Sequence, residues 1–321
     1  LMHLIKDLSK AEKVPTRDGM GKGLVELGKT NKNVVALCCD LTDSTRIGWF
    51  KEKFPKRYVQ VGVQEQNMMG IGAGMALEGK IPFVSSYAVF SPGRNWDQLR
   101  VSVCYGDANV KIIGAHAGIS VGPDGATHQA LEDIAITRVL PNLTVLVPCD
   151  SEQAFKATVA SVDISGPVYL RIGRDKFENF TTDETPFKVG KADIYRDGKD
   201  VAIVACGVMV YEALKAAEEL KKKGIDAMVV NNHTIKPIDE KTLIEVAKKT
   251  GAIVTAEEHQ VQGGMGSAVA EVIANGNPVP MEFVGVQNTF GESGGAVELM
   301  EKYGLQAVDI VAAVEKVLKR K

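Results

Sequence analysis

The sequence predicts an α/β protein of two successive three-layer α/β domains, with a parallel sheet in the first and a mostly parallel sheet in the second. Three observations predict this. Short β-rich runs alternate with longer amphipathic stretches along the whole chain. The runs are apolar almost throughout, as expected of strands covered on both faces. A polar segment rich in turn residues splits the alternation into two blocks.

In the first block, VVALCCD (34–40), PFVSSY (82–87), VKIIGAH (110–116), LTVLVP (143–148) and VYLRI (168–172) read as buried strands. Residues 18–29, 64–79, 94–104, 129–138 and 151–162 read as the helices between them. The break is ENFTTDETPFKVGKADIYRDGKD (178–200), which places a boundary near 185 and gives domains 1–185 and 186–321. The second block alternates strands 201–207, 226–232, 252–258 and one ending near Val286 with helices 209–223, 239–249 and 266–275. Helices 294–303 and 309–319 close the chain.

The length of 321 residues suits two buried cores. A net charge of −2 gives no reason to expect a nucleic acid or an anionic membrane as partner. No apolar run nears the roughly 18 residues of a membrane helix. The start, LMHLIKDLSKAEK, carries charges every few residues and does not read as a secretory signal. Five cysteines without a CxxC pair read as small buried hydrophobes in a reducing cytosol, so a cytoplasmic protein is expected.

Several motifs fail. GMALEGKI (74–81) nearly spells a phosphate-binding loop, but Ile81 replaces the magnesium-binding hydroxyl. The glycine-rich stretches GIGAG (70–74) and GMGKG (19–23) lack dinucleotide spacing. The five histidines show no zinc spacing, so no metal ligand is assigned. A serine-hydrolase nucleophile elbow is not expected.

Two segments carry the chemistry. In YVQVGVQEQNMMGIGAGMALEGKIPFVSSYAVF (58–90), Glu65 follows a short strand and opens a helix, where the dipole favours a carboxylate. The glycines behind it allow a ligand or another backbone to approach closely. Tyr87 and Phe90, three apart at the end of the next strand, offer faces to a flat ring. In GAHAGISVGPDGATHQALED (114–133), a strand ends at His116, and a loop bearing Asp124 and His128 follows. Ligand groups in parallel sheets gather at such carboxyl ends. Arg17, Ser44 and Arg174 add basic and hydroxyl groups; arginine suits bidentate phosphate recognition.

GVQEQN, SYAVF, HAGISVGPDGATHQALEDIA, VLPNLTVLVP and RIGRD, in that order, resemble the pyrimidine-binding domain of transketolases. They also resemble the related 1-deoxyxylulose-5-phosphate synthases and 2-oxoacid dehydrogenase β subunits. TAEEHQVQGGMGSA (255–268) and FGESGGAVELMEKYGL (290–305) resemble the C-terminal domain of the same superfamily. The likeness covers nearly the whole chain. The glutamate motif reads EQN where many full-length transketolases have EHG, Tyr87 replaces a phenylalanine, and SPGRNWDQL after Phe90 differs from theirs.

The resemblance implies a thiamine-diphosphate transferase of the pentose phosphate pathway that moves a two-carbon ketol unit between phosphorylated ketoses and aldoses. It implies that Glu65 hydrogen-bonds the cofactor's aminopyrimidine, that Tyr87 and Phe90 stack on it, and that Asp40 and Leu41 lie beside it. Arg17, Ser44, His116 and Arg174 then match phosphate contacts, and Asp124 matches the residue that recognises a donor hydroxyl. His128 matches a histidine near the reacting carbonyl, so Glu65, His128 and His116 are the catalytic candidates. The family binds the diphosphate and Mg²⁺ through a GDG motif, and none occurs in these 321 residues. A separate N-terminal-half subunit is therefore expected to carry that site, in an α2β2 heterotetramer with homodimer contacts between copies of this chain. The alternatives are a 2-oxoacid dehydrogenase-type β subunit, half of a deoxyxylulose-phosphate synthase-like enzyme, and a non-catalytic partner.

Overall fold

The computed structural model describes residues 3–321. The expectation for the first residues falls partly on positions 1 and 2, which lie outside that range. In chain order the strands are β1 Glu12–Val14, β2 Val34–Cys38, β3 Tyr58–Gln60, β4 Ile81–Tyr87, β5 Lys111–Ala115, β6 Thr144–Leu146 and β7 Val168–Arg171. They continue as β8 Phe177–Asn179, β9 Asp193–Arg196, β10 Val201–Ala205, β11 Ala227–Asn231, β12 Thr234–Lys236, β13 Ile253–Gln260 and β14 Met281–Val286.

Apart from a small antiparallel pair, β1 with β8, the strands form two sheets. The first has the order β12-β6-β7-β5-β4-β2-β3. Its strands from the first block are all parallel. Its outermost strand, β12, comes from the second block and pairs antiparallel with β6. The second sheet, β14-β13-β10-β11-β9, is parallel except for β9. The α/β class and the parallel character agree with the sequence reading. β9 and β12 had no reading of their own, because strands of four and three residues give too few positions to establish a period.

Every residue of β2, β5, β10 and β11 is buried, which accounts for their unbroken apolar runs. Side chains from both blocks, including Val145, Val147, Val204 and Met265, belong to one continuous core. The helix Thr16–Thr30, which presents Arg17, packs closely on the helix Ser151–Ala160. Gly19 permits this, since a Cβ there would lie 1.8 Å from the Ser151 carbonyl oxygen. Asp150 caps the second helix by accepting from the Gln153 N–H.

Two predicted helices differ. The one at 129–138 is confined to Asp133–Arg138. Residues before it are held as loop, with Ala130 bridged to Ala117 and the Gln129 amide donating to the carbonyls of Ile119 and Glu292. The one at 94–104 is a short helix, Trp96–Gln98, that runs into a π-helical turn at Leu99–Tyr105. All five cysteines are buried and free. Among the described residues no helix is long and apolar enough to cross a membrane.

Candidate active site

Strands β7, β5, β4, β2 and β3 lie side by side, and the predicted residues sit at or after their carboxyl ends, except Arg17, which lies in the first turn of the helix Thr16–Thr30. Asp40, Leu41 and Ser44 follow β2, Glu65 opens the helix Glu65–Leu77 after β3, and Phe90 follows β4, which ends at Tyr87. His116 follows β5, and Arg174 follows β7.

Glu65 is only 1% exposed. One carboxylate oxygen accepts from the Ser86 hydroxyl at 3.0 Å, and the other accepts from Arg94 Nη1 at 2.6 Å. The Asn95 amide donates to the Glu65 carbonyl at 3.1 Å. The Arg94 guanidinium lies over the Phe90 ring, 4.5 Å from its centroid. His128 meets Phe90 edge-on at 5.4 Å, and its Nδ1 lies 2.9 Å from the Thr127 hydroxyl. Tyr87 stacks on His116 at 3.9 Å and lies nearly parallel to Phe90, with 6.4 Å between ring centroids and 18° between planes.

His116 is buried, with its backbone in the left-handed region at φ +55°. Burial, and then the charges of Arg17, Arg174 and Arg46, push its pKa down to about 3. The ring is therefore neutral at physiological pH. Arg17 Nη1 lies 3.5 Å from its Nε2. An arginine only donates, so Nε2 is the acceptor and the proton sits on Nδ1. That Nδ1, like Arg17 Nε, is buried and has no hydrogen-bond partner among the described residues. Burial, then Arg46, lowers the pKa of Arg17. Arg17 also donates to the Ser44 carbonyl at 2.8 Å. Arg174 donates to the Val121 carbonyl at 2.8 Å and pairs with Asp124 at 3.2 Å.

An unbroken path of contacts thus runs from Ser44 through Arg17, His116, Tyr87, His128, Phe90 and Arg94 to Glu65. Asp40 and Leu41 line a cleft of about 620 Å³ with Ser44 and Lys51. Among the described residues no hydrogen bond joins either of them to Glu65.

The loop bearing Asp124 and His128 rests on the second block. The buried Glu258 carboxylate accepts from the Ser120 N–H at 2.6 Å. Gly118 sits at φ +89°, and a Cβ there would lie 2.3 Å from Glu258. Behind them Arg171 pairs with Asp133 at 2.8 Å and donates to the Glu258 carbonyl at 2.8 Å.

Beside the site, the helix Glu65–Leu77 leaves Asn67, Gly70, Gly74 and Leu77 exposed along one face. Added Cβ atoms at Gly70 and Gly74 would meet nothing within 4 Å. The pentapeptide GESGG (291–295) does have nucleophile-elbow spacing, contrary to the sequence reading. It lies in an irregular stretch well past β14, with the Ser293 hydroxyl against Gly125, so the strand–turn–helix context is missing. Among the described residues no group of three or more His, Cys, Asp or Glu could hold a metal ion.

Residues 12–179 match the family model for the transketolase pyrimidine binding domain, and residues 190–310 match that for the transketolase C-terminal domain. The chain belongs to the transketolase family. It is 43% identical to a 6-deoxy-6-sulfo-D-fructose transketolase subunit of Clostridium sp. strain MSTE9, over 97% of each chain. It is 38% identical to an apulose-4-phosphate transketolase subunit of Phocaeicola vulgatus, over 92% of this chain and 95% of that one. A solved structure described as a split gene transketolase, inactive beta4 tetramer, superposes with a TM-score of 0.90 at 48% identity, over 95% of this chain and 99% of that one.

Sequence reasoning missed Ser86, Arg94, Arg46 and Glu258. Ser86 left a signal, because a serine is out of character in a strand buried on both faces. Arg46 sits at φ +64° and pairs with Asp18 at 2.6 Å, which no local pattern reveals. Arg94 and Glu258 act through residues 29 and 138 positions away.

Proposed function

We propose that the chain is the C-terminal-half subunit of a split transketolase, transferring a two-carbon ketol unit between sugar phosphates in a complex with a chain that holds the diphosphate and Mg²⁺. The observation that carries this is a buried carboxylate, an aromatic face and a cationic cluster in one contact path along a single sheet edge. The residues fit thiamine diphosphate. Glu65 presents a carboxyl to a flat-ring site bounded by Phe90, and His116 and Arg17 hold buried donors that have no partner among the described residues.

When bound, that cofactor supplies the nucleophilic carbon of the transfer. In this reading Glu65 hydrogen-bonds the pyrimidine ring nitrogen, and burial strengthens that contact. Phe90 positions the ring, while Tyr87 orients His116 by stacking. His128, half-buried and edge-on to Phe90, assists proton transfer at the reacting carbonyl. His116 acts by donating from Nδ1 and not as a base, because burial, reinforced by the arginine charges around it, keeps it neutral. With Arg17, Ser44 and Arg174 it receives the substrate's terminal anion. Asp124, turned toward Arg174, receives a donor hydroxyl. Asp40 and Leu41 lie along the flank of the cofactor.

The relatives named for a phosphorylated and a sulfonated sugar both handle a substrate with an anionic end, which this cluster suits. Their lengths match this chain, which supports a separate subunit. The exposed glycine face beside Glu65 suits close approach by another chain. Copies of this chain meet in homodimer contacts within an α2β2 assembly in a cytoplasmic enzyme.

The test mixes the chain with a GDG-carrying chain, thiamine diphosphate and Mg²⁺, and follows xylulose 5-phosphate with ribose 5-phosphate. Turnover should require both chains, and Glu65→Gln should abolish it with an unchanged circular dichroism spectrum. Full turnover by Glu65→Gln, or turnover only with 2-oxoacids, would overturn the reading.

A further inference from the structure

The contacts of Arg94 are the two that the proposed function assigns to the aminopyrimidine. Its guanidinium lies over Phe90 at 4.5 Å, and its edge donates to Glu65 at 2.6 Å. A guanidinium is flat, stacks on aromatic faces and carries donors in its plane. An aminopyrimidine has the same features: a flat π-system with polar hydrogen-bonding groups around its edge. Two flat groups cannot occupy one face of Phe90 while both reach one carboxylate oxygen of Glu65.

The surroundings are built for such an exchange. The Glu65 side chain is 1% exposed, whereas that of Arg94 is 46% exposed. The carboxylate is therefore fixed and the arginine is at the mouth. Ser86 holds the other carboxylate oxygen, and Asn95 ties the Glu65 backbone, so Glu65 stays in place when its partner changes. An unpaired carboxylate at this depth is costly, and an arginine removes that cost in the chain without cofactor.

We propose that Arg94 occupies the pyrimidine position in the cofactor-free chain, keeping the Glu65 carboxylate paired and the cleft formed, and is displaced when the cofactor enters. This rests on the cofactor assignment above. Cofactor binding is then an exchange of one flat donor for another, so the apparent affinity is lower than the contacts alone would give.

The test is calorimetric titration of thiamine diphosphate with Mg²⁺ into the complex of the full chain with its GDG-carrying partner. Arg94→Met keeps length and apolar bulk but cannot donate. It should bind the cofactor about ten-fold more tightly than the wild type, the scale of one half-exposed charged hydrogen bond. The cofactor-free Arg94→Met chain should also melt at a lower temperature, with cofactor restoring more of its stability than it adds to the wild type. If Arg94→Met does not fold, Arg94→Gln, which retains one donor group, takes its place with the same expected direction. Weaker or unchanged binding would show that Arg94 is a permanent partner of Glu65 and overturn the displacement alone. Binding by neither wild type nor variant would overturn the cofactor assignment and the displacement with it.

Discussion

Replacing Asp133 by alanine isolates the buried junction that supports the site loop. Asp133 is fully buried, accepting from Arg171 Nε at 2.8 Å and from the Tyr169 hydroxyl at 2.7 Å. Arg171 is 6% exposed and donates to no other carboxylate among the described residues, since its remaining hydrogen bonds go to the carbonyls of Ala130 and Glu258. Burial alone would raise the Asp133 pKa, but Arg171 and the Tyr169 hydrogen bond hold it below the usual carboxylate range. Its contribution is therefore complete at pH 7 and is lost as pH falls below about 4 through the lower folded value. Asp133→Ala leaves the guanidinium charged in the interior with Glu258 as its nearest remaining charge partner, which costs about 3 kcal/mol, the low end for a broken buried pair. Urea unfolding at pH 7, followed by circular dichroism, measures this. Asp133→Leu with Arg171→Met removes both charges and should recover most of the loss. A single-mutant loss below about 1 kcal/mol, or no recovery in the double mutant, would refute the assignment of this pair as the support.

Arg174→Ala should raise the KM for a phosphorylated substrate about ten-fold with little change in kcat, a discounted value for a charge-assisted hydrogen bond at a one-third-exposed side chain. Steady-state kinetics at constant ionic strength checks the split. His116 binds no proton in the folded chain until about pH 3, whereas an unfolded histidine binds one near pH 6.5. Stability should therefore fall as pH drops from about 6.5 toward 3, by up to about 1.4 kcal/mol per pH unit from this residue. His116→Gln should flatten that part of a urea-midpoint profile. Gly118→Ala combines φ +89° with a Cβ 2.3 Å from Glu258, so it should displace the loop. Substrate KM should rise, and hydrogen exchange at the Ser120 N–H should accelerate.

Much of the fold was legible because its strands are buried on both faces. VVALC and VAIVA announce themselves by unbroken apolarity, and their spacing leaves room for helices between parallel strands. The helix Ile47–Lys53 was not read, because its seven residues follow the turn-rich DLTDST and make under two full turns. The site residues around His116 were legible as a group, since a loop after a strand concentrates them within a few positions.

By itself, the sequence determined which residues are apolar on both faces, where the chain must turn, and which chemical groups follow each strand. Those are local properties, set by side-chain type and by period along the chain. Only the tertiary structure decided that Arg94 lies on Phe90 and holds Glu65, that Glu258 pins Ser120, and that β12 crosses over to complete the first sheet. Each joins residues from separate elements, and strand order and close packing fix such partnerships without leaving a repeat in the sequence.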